Sequence, residues 1–311
     1  MGYDSHMAEK GKIAVVTGGA GFIGAHLVEG LVARGYHVRV IDNLVAGKKE
    51  HVHPDAEFHQ VDILDIEQLR PIMKGATYVF HLAALPRVQY SIEHPQETNK
   101  VNVEGTLNVL DVAREAGITR VVYSASSSAY GDQPTLPLHE DLPALPQSPY
   151  GIQKYVGEHY ARFYSEIQGL PTVSLRYFNV YGPRMNLDGA YALVMGVFLK
   201  QKLAGKPLLI TGDGKQTRDF THVRDVVRAN ILAGEHPNLG HGEVINIGSG
   251  KNYSINALAQ MMGGQIEYIP ARKEPKNTLA DNRKAKKLMG WEPTVSLEDG
   301  IQEILKEWGL A

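Results

Sequence analysis

From Lys12 onward, short β-branched and apolar runs alternate with longer stretches in which apolar positions recur every three to four residues. The short runs IAVVT (13–17), VRVID (38–42), FHQVD (58–62), YVFHLA (78–83) and RVVYSAS (120–126) predict strands. Between them, Phe22, Ile23, Leu27, Leu31 and Val32 share one face of a helix that reaches Arg34. Val101, Leu107, Val109, Leu110 and Val112 do the same over 101–116. Strand and helix in alternation predict a parallel sheet with helices packed on it. Gly35, Gly117 and Gly169 each close a helical stretch just before an apolar run, the position of a left-handed C-cap. Past residue 180 the regularity gives way to Gly/Pro-punctuated segments. Helical patterns remain at 191–204, 223–233, 254–262 and 297–308, with Ser254 and Ser296 as expected N-caps. VSLRYF (173–178) and EVINIG (243–248) still read as buried strands, so the later portion interleaves with the first.

The first strand runs into Thr17-Gly18-Gly19-Ala20-Gly21-Phe22-Ile23-Gly24, a GxxGxxG spacing that opens a helix. Gly18 and Gly21 allow a tight turn and bring backbone N–H groups close to a pyrophosphate at the positive helix N-terminus. Gly24 lets helix and strand pack closely. Asp42 closes the second strand, placed to accept the ribose hydroxyls of an adenosine and to repel a 2′-phosphate. That favours NAD over NADP, although Lys48 and Lys49 in the next loop could soften the repulsion. The expected class is α/β: a Rossmann-type doubly wound parallel sheet over residues 8–180, with strand returns near 208–248. A smaller, interleaved C-terminal α/β portion over 181–311 would hold the substrate.

Tyr150 and Lys154 lie four apart behind Ser148-Pro149, which marks a helix start, so both fall on one helix face. A phenol ordinarily titrates near pH ~10, and a neighbouring ammonium favours phenolate. Ser126 ends the fifth strand, where open α/β sheets place their ligands. The three together make a site for handling a substrate hydroxyl, with Ser124, Ser127 and Ser128 competing for the serine role.

Composition narrows the partners. The 311 residues carry 32 Lys plus Arg against 34 Asp plus Glu, a net charge of −2 with no block of one sign, which makes nucleic acid or an acidic membrane face a poor partner. There is no cysteine, which removes thiolate catalysis, disulfides and Cys-based zinc sites and fits a reducing cytoplasm. No run approaches the ~18 apolar residues of a membrane span. Ser5-His6-Met7 resembles a cloning scar, which sets residues 1–7 aside and makes Met7 the expected natural start. His51, His53 and His59 lack ligand spacing and read as solvated, so no metal is expected.

In order along the chain stand TGGAGFIG, HLAA (81–84), NVEGTLNVL (102–110), SASSSAYGD (124–132), YGIQK (150–154), LRYFNVYGPR (175–184) and GDGKQTRDFTHVRDV (212–226). From about residue 12 to 308 the chain resembles the extended short-chain dehydrogenase/reductase family, most of all its nucleotide-sugar 4-epimerases. The resemblance implies NAD held by Gly18, Gly21, Phe22, Ile23, Gly24, Asp42, Asn43, Asp62 and Ile63. It adds Leu82, Ala83, Ala84, Asn102, Tyr150, Lys154 and Tyr177 to the cofactor contacts. It places catalysis on Ser126, Tyr150 and Lys154. A UDP-sugar would meet Arg87, Ser126, Ser127, Tyr150, Asn179, Ala190, Tyr191, Arg218, Arg272 and Thr278.

Asn179 and Arg218 would take the diphosphate, the alternative for Arg218 being an ion pair with Asp219 or Asp225. Thr278, anchored on Ala280-Asp281, falls where the epimerases carry a pocket-wall residue that is bulky when only plain hexoses are accepted. Its small size and the stretch GAYALV (189–194) imply that N-acetylhexosamines also fit. A homodimer is implied through the helices at 101–116 and 150–168, with Tyr155, Tyr160 and Tyr164 packing on the core or on the partner. The rival readings are a 4,6-dehydratase, a net NAD-dependent reductase and a non-catalytic dinucleotide sensor. A dehydratase would carry Asp-Glu after its catalytic hydroxyl residue, where this chain has Ser127-Ser128.

Overall fold

A computed structural model describes residues 11–185, 187, 194–271 and 276–310. The chain opens with β1 (Ile13–Thr17), α1 (Phe22–Ala33), β2 (His37–Ile41), β3 (Glu57–His59), α2 (Ile66–Met73) and β4 (Tyr78–His81). Two short helices, α3 (Val88–Glu93) and α4 (Pro95–Asn99), lead through one π-helical turn at Lys100–Glu104 into α5 (Gly105–Glu115) and β5 (Arg120–Ser126). Then come α6 (Pro149–Glu166), β6 (Thr172–Tyr177) and β7 (Val180–Tyr181). The later portion holds α7 (Val194–Leu203), β8 (Leu208–Thr211), β9 (Thr217–Asp219), β10 (Thr221–His222), α8 (Val223–Glu235) and β11 (His241–Ile247). It ends with β12 (Asn252–Ser254), α9 (Ile255–Met262), β13 (Ile266–Ile269), α10 (Arg283–Met289) and α11 (Leu297–Glu307).

Seven strands form one sheet in the order β11-β6-β5-β4-β1-β2-β3, every neighbouring pair parallel. The strands are apolar on both faces because both are covered. Ala14, Val16, Tyr78, Phe80 and Val122 face a core shared with α1 and α8. Val15, Val79 and Val121 face a second core under α2, α5 and Tyr164 of α6. A third core, built on Phe198, Leu199, Ile210, Phe220, Leu258 and Ile304, holds the later portion together.

Of the strand return expected near 208–248, β11 is the part that joins the sheet, whereas β8 pairs with β13 in a separate two-stranded sheet. The expected strand at 58–62 ends at His59, because Val61 turns back to bond the His59 carbonyl (3.0 Å). Gly35, Gly117 and Gly169 all take positive φ (86°, 67° and 71°), as their C-cap positions require. Ser148, Ser254 and Ser296 each accept a backbone N–H in the first turn of the helix they open. Among the described residues, no helix is long and apolar enough to cross a membrane.

Candidate functional site

The strand order reverses at β1 and β4, and the carboxyl ends of these strands open into a cavity of about 1520 Å³. Single small-molecule pockets run to roughly 1,000 Å³, so this one has room for more than one ligand of that size. Gly18, Gly21, Phe22, Ile23 and Gly24 line one wall. Gly18 takes φ +71°, and a Cβ there would stand 2.7 Å from the Ala83 nitrogen, while one on Gly24 would stand 2.1 Å from the Gly18 carbonyl oxygen. Unlike α6, α9 and α11, α1 opens on a glycine with no side-chain cap, and no acid sits in its first turn. Its first N–H groups are therefore left to an anion. A cradle kept clear of side chains and ending in free amides fits a dinucleotide pyrophosphate.

Asp42 stands at the end of β2, with Oδ2 accepting from the Ala20 N–H (3.0 Å) and Oδ1 from the Leu44 N–H (2.8 Å). Burial pushes its carboxyl above the usual range against these two bonds. Asn43 donates to Asp62 (2.9 Å), and both line the same wall with Ile63. Lys49 lies over the Phe58 ring (5.6 Å), and neither Lys48 nor Lys49 is part of the cavity wall. Asp42 thus keeps its repulsion toward a 2′-phosphate.

Tyr150, Lys154 and Ser126 meet on the opposite wall. Pro149 and the Ser148 cap start α6 so that Tyr150 falls in its first turn and Lys154 one turn later. Burial pushes the Tyr150 phenol up to about 12, opposed by the neighbouring Ser126 hydroxyl. The Ser126 hydroxyl accepts from both the N–H (3.2 Å) and the hydroxyl (2.8 Å) of Ser128. Its own proton is free to turn toward Tyr150, and of the four serines weighed it is Ser126 whose hydroxyl neighbours the phenol. Ser124 is engaged with the Tyr177 hydroxyl (3.0 Å), and Ser127 lines the cavity.

The Lys154 ammonium donates to the Ser124 carbonyl (2.8 Å) and sits over the Tyr123 ring (4.9 Å). Burial pulls it down to about 7, opposed by the Glu158 carboxylate one turn on. Glu158 is itself held bidentately by Arg176 (2.8 and 2.7 Å), both side chains being buried.

The remaining expected contacts divide. Leu82, Ala83, Ala84, Arg87, Tyr177, Asn179, Arg218 and Thr278 line the cavity. Asn179 is braced by the Asp219 carbonyl (2.9 Å), and Arg218 donates to the carbonyls of Thr217 (2.9 Å) and Lys276 (3.2 Å). The two acids weighed as ion partners are committed elsewhere. Asp219 accepts from Ser249, Gly250 and Ala280, and Asp225 from Thr294, Val295 and Arg228.

Asn102 is buried just behind the cavity wall. Its amide is taken up by both backbone groups of Leu85 (2.8 and 3.2 Å) and by Gln153 (2.8 Å), so it braces the wall rather than forming it. Ala190, Tyr191 and Arg272 lie outside the described residues. Tyr164 packs on the core and donates to Asp111 (2.5 Å). Among the described residues no group of His, Asp or Glu has metal-binding geometry.

A pyrophosphate cradle at the switch point of a doubly wound sheet, facing a phenol and an ammonium on one helix, defines an enzyme of the extended short-chain dehydrogenase/reductase class. Within that class, residues 14–248 match the NAD dependent epimerase/dehydratase family. The chain belongs to that family, and NAD is its cofactor. It is 36% identical over 306 residues to a UDP-glucose 4-epimerase of Mycolicibacterium smegmatis, covering 94% of this chain and 97% of the other. The solved UDP-glucose 4-epimerase of Thermotoga maritima, with UDP-glucose, superposes at TM-score 0.91 with 39% identity, covering 96% of this chain and 98% of that one. A UDP-N-acetylglucosamine 4-epimerase of Methanobrevibacter ruminantium, in complex with UDP-N-acetylmuramic acid, superposes at 0.91 with 36% identity and the same coverage. Other similar proteins are named as a decarboxylase and a 4,6-dehydratase.

Proposed function

We propose that the protein is a UDP-sugar 4-epimerase acting on UDP-hexoses and UDP-N-acetylhexosamines. The observation that carries this reading is the Ser126-Ser127-Ser128 run at the end of β5. Eliminating water from the sugar needs an acid and a base beside the reacting carbons, and dehydratases carry Asp-Glu where this chain has two serines. The Ser128 hydroxyl is spent on Ser126. The described carboxylates of the cavity wall are Asp42, Asp62 and Glu97. Asp42 stands three strands from β5, roughly 14 Å at ~4.8 Å per strand. Glu97 accepts from Tyr90 (2.7 Å). What is left at the centre is machinery for a single hydroxyl.

NAD, held by the glycine cradle and Asp42, would supply the acceptor and later the donor of a hydride at carbon 4. Tyr150 takes the proton of the carbon-4 hydroxyl and later returns it. Ser126 donates to the same oxygen and fixes its position, and a charged Lys154 favours the phenolate. Asn179 and Arg218 would grip the diphosphate, the guanidinium fork being suited to paired phosphate oxygens. Because the same bound NAD would take up and give back the hydride, no net redox change is expected.

The protein as purified should therefore carry NAD and turn over without added cofactor. Mass spectrometry of the supernatant after denaturation checks this; no dinucleotide, together with strict dependence on added NADP, would overturn it. The sugar range rests on Thr278, whose hydroxyl accepts the Asp219 N–H (3.2 Å) and which leaves a small wall beside Arg218. Thr278→Tyr should lower kcat/KM for the N-acetylated pair by at least about tenfold and that for UDP-glucose and UDP-galactose by less than about threefold, as expected when bulk meets only the acetamido group. Equal losses on both pairs would remove the pocket-wall role. The partner implied besides substrate is a second copy of the chain. In support, an open apolar groove of Val156, His159, Tyr160 and Phe163 runs along the outer face of α6.

A further inference from the structure

The first turn of a helix carries N–H groups with no partner inside the helix, and at the start of α6 each can be accounted for. Pro149 has none. The N–H of Gly151 goes to the Ser148 hydroxyl (3.1 Å) and that of Ile152 to the Ser148 carbonyl (3.0 Å). The N–H of Tyr150 leaves the helix and donates to the hydroxyl of Ser91, on α3 (3.0 Å). Ser91 is fully buried, and its own proton goes to the Val88 carbonyl (2.6 Å), so the oxygen is aimed at Tyr150 by a second bond. Val88 and Ile92, on the same short helix, line the cavity mouth. Two turns of α6 are bolted down on this side, since Gln153 also donates to Thr98 (3.0 Å) and accepts from Asn102 (2.8 Å).

From this geometry we infer that Ser91 is a positioning residue for the reaction. It anchors the backbone of Tyr150, and so sets the reach of the phenol to Ser126 and the substrate oxygen. The inference rests on the epimerase reading, in which Tyr150 is the proton-transfer group. A shift of the first turn by a fraction of an ångström would leave the fold and the diphosphate grip intact but lengthen the proton-transfer contact, on which the rate depends steeply.

The test compares two single deletions on the same helix in the NAD-loaded enzyme. Ser91→Ala removes the bond to Tyr150. Ser165→Ala removes a bond from the far end of α6 to the Gly240 carbonyl (2.8 Å). Ser91→Ala is expected to lower kcat about tenfold with KM for the UDP-sugar within twofold, and to move the basic apparent pKa of the rate profile upward, because the phenol moves away from the Ser126 hydroxyl that lowers it. Ser165→Ala should leave kcat unchanged. Ser91→Cys, similar in shape but a weaker acceptor, should fall between wild type and Ser91→Ala and covers the case in which alanine does not fold. Unchanged kcat in Ser91→Ala, or an equal loss in Ser165→Ala, overturns the assignment. A crystal structure of Ser91→Ala provides a readout independent of turnover, with the Tyr150–Ser126 separation expected to lengthen relative to wild type and an unaltered separation counting against the inference. A wild type inactive on every UDP-sugar would instead count against the epimerase reading.

Discussion

Replacing Tyr150 by Phe should lower kcat on UDP-sugars by about 10³-fold while the dissociation constant of the UDP-sugar changes by less than about threefold. The substitution removes one oxygen and little volume. The fold does not depend on that oxygen, because the hydroxyl's partner, Ser126, retains both of its bonds from Ser128. The groups expected to hold the nucleotide, Asn179 in the β6–β7 turn and Arg218 in β9, are untouched. Ser126→Ala should be milder, since the phenol stays in place and loses only a donor. Steady-state kinetics with calorimetric titration of the substrate decide the matter. Near-normal turnover in Tyr150→Phe would mean that another group moves the proton.

Lys154→Met is expected to act on activity and stability in opposite directions. Turnover should fall by about 10²-fold, because the positive charge that favours phenolate is gone. Stability should rise at low pH. In the cofactor-free cavity burial pulls Lys154 down to about 7, against an ordinary value of 10.5 in the unfolded chain. Below pH 7 both states carry the proton, and the folded state bears the full cost of a buried charge. Between pH 7 and 10.5 the unfolded chain binds a proton that the folded one does not, so wild-type stability gains as pH rises. The advantage of Lys154→Met in Tm, measured on protein stripped of NAD, should therefore be larger at pH 6 than at pH 9. A gap that stays constant or widens with pH would mean that Lys154 is charged throughout this range.

The parts of the site that obey local rules were legible in the chain. A glycine spacing, an acid at a strand end and a Tyr-x-x-x-Lys step each lie within one turn or one helix, where spacing and orientation are tied together. Ser91 was not legible, because VQYSIE carries no mark of a partner 59 residues away. The bonds of Asn102 to the Leu85 backbone were not legible for a related reason, since they join a π-helical turn at Lys100–Glu104 to a loop 17 residues away. The pairing of Glu158 with Arg176 is likewise set by the packing of α6 against β6, which no single segment encodes.

The interleaving of the two portions bears on how far the cofactor-binding half can be treated as a module. Its sheet takes its outermost strand, β11, and much of the apolar cover on one face, α8, from chain that comes after the sheet has been left at the end of β6. Cutting after residue 180 would strip Val223, Val226, Ile245 and Ile247 from the core they share with Ala14 and Val16, and would leave the full length of β6 as a bare edge open to aggregation. A fragment ending there is not a transferable cassette. The same recrossing ties the two walls of the cleft together by several crossings of the chain instead of a single hinge.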